Sequence, residues 1–110
     1  MKRFGAIATW IAILIGFSST VTGQVMTNKG QIITISDGAR ITVTGDAINE
    51  GVLRNDGSFS VSGNWTNSNS YLSDAGTFIL NGSSVQQVNH GGQTFYILEL
   101  AGGGRKVFTS

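Results

Sequence analysis

The chain has 110 residues, seven Lys or Arg against six Asp or Glu, and neither cysteine nor proline. That length holds one domain at most. The near-neutral balance excludes the basic footprint of a nucleic-acid binder, and the lack of cysteine excludes a disulfide framework, so order must come from packing and backbone pairing.

Residues 1–23 have the three-part layout of a secretory signal peptide: Lys2 and Arg3, an apolar run over 4–17, then small or polar residues with Val21 and Gly23 where a signal peptidase reads. A leader helix is expected here, with cleavage between Gly23 and Gln24. The apolar run is shorter than the roughly 20 residues that cross a bilayer, so no membrane span is expected after cleavage. With no cysteine near the cleavage point, no lipid anchor is expected. Loss of Lys2 and Arg3 leaves five basic against six acidic residues, a formal charge of −1. The expected location is secreted or cell-surface, after export through the inner membrane.

Residues 24–110 are expected to form one repeat segment. After a lead-in over 24–30 come a strand over 31–36, a turn at Asp37 and Gly38, a strand over 40–44, a corner at Gly45 and Asp46, an inward Ile48 and a turn over 49–51. The order recurs with strands over 52–54 and 58–62 and inward Trp65, then with 71–73, 77–80 and inward Val85 and Val88. Three blocks, ARITVTG at 39–45, SFSVSG at 58–63 and TFILNG at 77–82, carry the register. Their columns are Ile41, Phe59, Phe78; Val43, Val61, Leu80; and Gly45, Gly63, Gly82, at offsets of 18 and 19. A looser copy lies 20 residues on at Leu98, Leu100 and Gly102. Ile35, Leu53 and Leu72 extend the inward set six positions earlier. Alternation places residues i and i+2 on one face, so Thr42, Ser60 and Ile79 should point outward.

Asp37-Gly38 and Asp56-Gly57 would each serve as a two-residue hairpin turn in an antiparallel meander. A meander, however, does not require distant strands to keep apolar, glycine and asparagine columns in step. A parallel β-solenoid does, because equivalent residues stack about 4.8 Å apart and each coil pairs with the coils on either side. The period therefore predicts an all-β parallel solenoid of about four coils.

The runs 57–88 and 93–104 resemble the repeats of large surface and secreted proteins of gliding and marine Bacteroidetes, of the type IX secretion kind. The matching stretches are 63–67 (Gly-Asn-Trp-Thr-Asn), 76–83, Gln87-Val88 and 95–98. More distantly, the glycine and asparagine spacing resembles filamentous haemagglutinin-type adhesins. That likeness implies a right-handed parallel β-helix and an adhesin-like surface location, and it carries no active-site residue. Members of the first group are far longer, and residues 105–110 read like the opening strand of a further coil. The chain is therefore expected to be the N-terminal piece of a longer protein, with open coil ends prone to self-association.

No catalytic, cofactor or metal residue is assigned. His90, the sole histidine, is expected to be a solvated turn residue. Asp37, Asp46, Glu50, Asp56 and Asp74 could form a calcium row or a glycan-cleaving carboxylate set, but their turn setting points to local hydrogen bonding. Thr34, Ser36, Thr42, Thr44, Ser60 and Ser62 could form an outward hydroxyl array, which Ile79 and Asn81 interrupt. Trp65, aligned with Ile48 and Val85, reads as a core or corner residue rather than a sugar platform. Asn64-Trp65-Thr66 and Asn81-Gly82-Ser83 match the glycosylation sequon by chance, and 102–106 reads as a flexible corner because it lacks phosphate-loop spacing. The expected function is a non-enzymatic, exported stalk or adhesive scaffold, partnered by surface glycans or other surface proteins. The alternative is a glycan-binding module, or a fragment of a carbohydrate-active β-helix enzyme whose active site lies elsewhere.

Overall fold

The computed structural model describes residues 13–14, 18–22 and 26–109. Among the described residues fourteen short strands run in chain order: β1 (Ile13–Leu14), β2 (Ser18–Thr22), β3 (Met26–Asn28), β4 (Ile32–Ile35), β5 (Arg40–Thr44), β6 (Ala47–Asn49), β7 (Val52–Asn55), β8 (Ser58–Val61), β9 (Trp65–Asn67), β10 (Ser70–Leu72), β11 (Thr77–Leu80), β12 (Gln86–Asn89), β13 (Ile97–Leu100) and β14 (Lys106–Phe108). They form three sheets, ordered β1-β4-β7-β10, β2-β5-β8-β11-β13 and β3-β6-β9-β12-β14. Every strand pairs with its counterpart one coil away, and all pairings are parallel. The chain is thus a three-sided parallel β-solenoid of about four turns, and the meander is excluded.

The second sheet follows the repeat columns. Ile41 pairs with Phe59, Phe59 with Phe78 and Phe78 with Leu98, while Val43, Val61, Leu80 and Leu100 stack beside them. Ile41, Val43, Phe59, Val61, Phe78 and Leu80 are buried. Aromatic residues fill the wider part of the interior: Phe59 and Phe78 lie 5.2 Å apart, with Trp65 4.8 Å from Phe78 and Tyr71 5.7 Å from it.

Two columns differ from expectation. In the first sheet Leu53 pairs with Ile33 and Tyr71, not with Ile35 and Leu72. Leu72 is 45% exposed, while Tyr71 is buried. A one-residue slip moves every side chain of a strand to the other face, and aligning Leu72 by hydrophobicity alone made that slip. In the third sheet Ala47, not Ile48, stacks on Trp65, and Trp65 stacks on Val88, not Val85. Ala47 and Val88 are buried, and Val85 is 50% exposed. Trp65 keeps its core role because a small Ala47 beneath it leaves room for the indole.

Glycines sit at corners where adjacent coils approach closely. A Cβ at Gly63 would run into the Gly45 carbonyl, which accepts the Gly63 N–H at 2.7 Å. Gly102 has φ +83°, and a Cβ there would strike the Asn81 carbonyl; the expected flexible corner is a close-packed one.

No helix occurs among the described residues, hence none long and apolar enough to cross a membrane. Of the segment expected as a leader helix, only residues 13–14 and 18–22 are described, and both are strands. β2 pairs along the whole of β5. The rest of that segment, including the expected cleavage point, lies outside the described residues.

Phe59→Ala and Phe78→Ala are each expected to lower unfolding stability by about 3–5 kcal/mol, through lost transfer energy and the cavity left behind. Leu72→Ala is expected to change it by no more than about 0.5 kcal/mol. Urea titrations of the three variants against the parent check both expectations.

Candidate functional site

The densest polar chemistry lies inside the solenoid, along the third sheet. β3, β6 and β9 each end in a buried asparagine, two residues after the inward apolar position: Asn28, Asn49 and Asn67. Asn28 Nδ2 donates to Asn49 Oδ1 at 2.9 Å, Asn49 Nδ2 to Asn67 Oδ1 at 2.9 Å, and Asn67 Nδ2 to the His90 carbonyl at 3.1 Å. The same side chains close their own corners, since Asn49 Oδ1 also accepts the Gly51 N–H and Asn67 Oδ1 the Asn69 N–H. Asn28 Oδ1 is buried and has no hydrogen-bond partner among the described residues.

His90 ends this column, and the expectation of a solvated turn residue is corrected: His90 is 1% exposed. β12 alternates with Gln86 and Val88 inward, so the next inward position is His90, in the place of asparagine. Trp65 Nε1 donates to His90 Nδ1 at 2.9 Å. Nδ1 must then be the bare acceptor nitrogen, and the proton sits on Nε2, 3.4 Å from the Thr94 carbonyl. Phe95 stacks on the imidazole with 3.6 Å between ring centres and 7° between planes, and Tyr71 meets its edge at 4.9 Å. Burial lowers the His90 pKa from 6.5 to about 4, against a smaller opposing effect of the Thr94 carbonyl. Tyr71, whose hydroxyl accepts a hydrogen bond from Asn55 Nδ2 at 3.1 Å, has its pKa raised above 10 chiefly by burial.

The first sheet ends at β10, and the segment after His90 covers it. The Gln93 side chain stands where another strand's backbone would be: its Oε1 accepts the Tyr71 N–H at 2.7 Å and its Nε2 donates to the Asn69 carbonyl. Gln86 does similar work at a lengthened corner, accepting the Gly82 N–H at 2.8 Å and donating to the Val61 and Gly63 carbonyls at 3.0 and 2.6 Å.

The acidic residues are not brought together: no group of three or more potential metal ligands occurs among the described residues. Asp46 Oδ1 accepts the Asn64 N–H at 2.7 Å and Asp56 Oδ1 the Asp74 N–H at 3.1 Å, each from the next coil rather than from its own turn. Glu50 pairs with exposed Lys29 at 3.6 Å. Asp37 and Asp56 line an open groove of about 260 Å³ with Arg40, Ser58 and Thr77. The hydroxyl array is broken as expected, because Thr42, Ser60, Ile79 and Glu99 share one ladder. Ser60 is buried, Thr34 lies beside Arg54, and Ser62 Oγ accepts the Gly45 N–H at 3.1 Å. Of the sequon asparagines, Asn64 uses its Oδ1 to accept the Gln87 N–H at 2.8 Å, and Asn81 is exposed.

Compared with protein-family models, curated proteins and solved structures, the chain matches none.

The His90 shift makes a pH prediction with a definite sign. Between pH 6.5 and about 4, the unfolded chain binds a proton at His90 that the folded chain does not, so stability falls as pH drops through that window. The contribution is complete above pH 6.5 and changes no further below about 4. His90→Gln is expected to flatten this part of the profile, and urea midpoints of the parent and variant measured from pH 7.5 to 4 check it.

Proposed function

We propose that the chain is an exported, non-enzymatic scaffold: a segment of a right-handed β-solenoid that serves a cell-surface or secreted protein as a stalk or adhesive spacer. The observation that carries this reading is the use made of the polar interior. Asn28, Asn49, Asn67, Gln86 and His90 are all buried, and their hydrogen bonds join one coil to the next or close a corner. Side chains that could do chemistry hold the stack in register instead, as a stiff spacer requires. Its outer faces, repeated every coil, offer many weak contacts that add by multivalency. Right-handed winding is favoured by the steric preference of parallel crossovers. Membership of the Bacteroidetes surface-repeat group is supported by the motif at 63–67, whose Trp65 and Asn67 occupy the buried column. Surface glycans or surface proteins are the partners this reading implies.

The leader reading rests on the three-part layout of residues 1–23 and places the mature start at Gln24. Intact-mass measurement of the exported protein is expected to give a chain beginning at Gln24 or its cyclised form; intact Met1 overturns processing. Deleting the gene is expected to reduce attachment of the producing cells to glycan-coated surfaces several-fold, with growth on polysaccharides unchanged. Labelling found only inside intact cells, or sugar released from polysaccharide by the purified chain, overturns the scaffold reading.

The groove beside Arg40 favours a second reading, a glycan-binding module, because Asp37, Asp56, Ser58 and Thr77 offer hydrogen-bonding groups along an open channel. Titration with oligosaccharides, followed by amide shifts at these residues, tests it.

A further inference from the structure

We propose that His90 pins an acid-released strap: segment 91–96 closes the last rung of the first sheet while the imidazole is neutral, and leaves it, ahead of the rest of the stack, when the ring takes up a proton.

Segment 91–96 follows β12 and lies where the first sheet would gain a strand after β10, yet among the described residues it forms none. It begins with a turn in which Gly91 and Gly92 have φ 67° and 74°, left-handed angles that a Cβ disfavours. The backbone bond it makes is local, from the Gln93 N–H to the His90 carbonyl at 3.3 Å. Residues 91–94 and Tyr96 are exposed, while Phe95 packs against the core. Side chains therefore fasten the strap. Gln93 Oε1 accepts the Tyr71 N–H at 2.7 Å and its Nε2 donates to the Asn69 carbonyl, and Phe95 lies flat on the imidazole with 3.6 Å between ring centres. A segment so poor in backbone pairs belongs to the low-stability end of a fold.

The pin fits in one protonation state. Nδ1 accepts the Trp65 Nε1–H at 2.9 Å, and an indole nitrogen only donates. A proton added to Nδ1 from solvent sets two N–H groups against each other, so the ring must turn away from Trp65 and Phe95 loses the surface it stacks on. The residues facing the ring are Trp65 and Asn67 from β9, Tyr71 from β10, Phe78 from β11 and Phe95 from the strap itself. None of them carries a balancing charge, and of these Tyr71 alone titrates. Burial raises its pKa, so it stays neutral while the imidazole charges. The face of Phe95 attracts a cation, but burial outweighs that attraction and holds the His90 pKa at about 4.

A ring released into water returns to its ordinary pKa of 6.5, so acid favours the open strap over the closed one. Opening takes the partners from the Tyr71 N–H and the Asn69 carbonyl and lets water reach the rings beneath. The ladder β4-β7-β10 stays paired.

Amide hydrogen exchange of the chain, followed by NMR and expressed as protection factors, tests the strap. The Tyr71 N–H, bonded to Gln93, reports the strap, and the Ser58 N–H, bonded to the Ala39 carbonyl at 3.0 Å, reports the stack. Tyr71 is expected to be roughly tenfold or more less protected than Ser58, and to lose a further tenfold or more between about pH 7 and about pH 4.5. Low urea is expected to weaken the protection of Ser58 and not that of Tyr71, because a local opening exposes little surface. Equal protection of the two amides at every pH means that only the whole stack opens, and overturns the strap. Tyr71 protection that does not respond to pH overturns the role of His90. In His90→Gln the Tyr71 protection is expected to stay constant over the same interval, and an unchanged pH response overturns the pin. Gln93→Ala unfastens the strap without touching the ring, so it decides the matter even if His90→Gln does not fold. In that variant the His90 pKa, read from the imidazole proton shifts, is expected to climb from about 4 toward 6.5. A pKa that stays at about 4 means that the ring is sealed without the strap, and overturns the coupling.

Discussion

No coil of this protein satisfies its own backbone. Among the described residues each inner strand's hydrogen bonds run to the coil before and the coil after, and each edge strand's to the one coil beside it, so the elementary stabilising interaction is between layers and not within them. Chemically alike residues must then lie over one another, because a side chain that fits one rung has to fit its neighbours. The interior becomes a few continuous columns, and the corners become places where backbone approaches backbone, as at Gly63 and Gly45.

A narrow parallel stack also has to bury some polar groups at its corners, and an unpaired one is expensive. The amide side chain answers this well, since it donates and accepts at once. Asn49 and Asn67 accept from the coil below, donate to the coil above and close their own turns with the same oxygen. Where the chain lengthens its corner before β12, Gln86 reaches across with a longer side chain. Where the column ends, His90 substitutes an aromatic amphiphile that takes the Trp65 N–H and stacks on Phe95.

How much of this was legible depended on the kind of signal. The second sheet was readable residue by residue because hydrophobicity, period and corner glycine agreed at offsets of 18 and 19. The third sheet was misaligned because its inward residues include Ala47 and a buried amide, and a search for large apolar side chains chose Ile48 and Val85 instead. The usable pattern was an apolar or small residue followed two places later by a polar one: Met26 and Asn28, Ala47 and Asn49, Trp65 and Asn67, Val88 and His90. Carried through to the last pair, it would have placed His90 indoors. In the first sheet Tyr71 and Leu72 are both plausible strand residues, and it is Tyr71 that turns inward, where its hydroxyl accepts a hydrogen bond from Asn55 Nδ2. The Asp residues were read as local turn chemistry, but the partners of Asp46 and Asp56 lie one coil away, a relation that local sequence cannot express.

The asparagine column has a direction. All its Nδ2 donors point toward the C-terminal coil and all its accepting oxygens toward the N-terminal one, so the amide dipoles add along the axis and polarise one another. The molecule therefore carries an internal compass. Reversing the Asn49 amide would set two NH2 groups facing on one side and two oxygens on the other, so a flaw at one rung is felt at its neighbours.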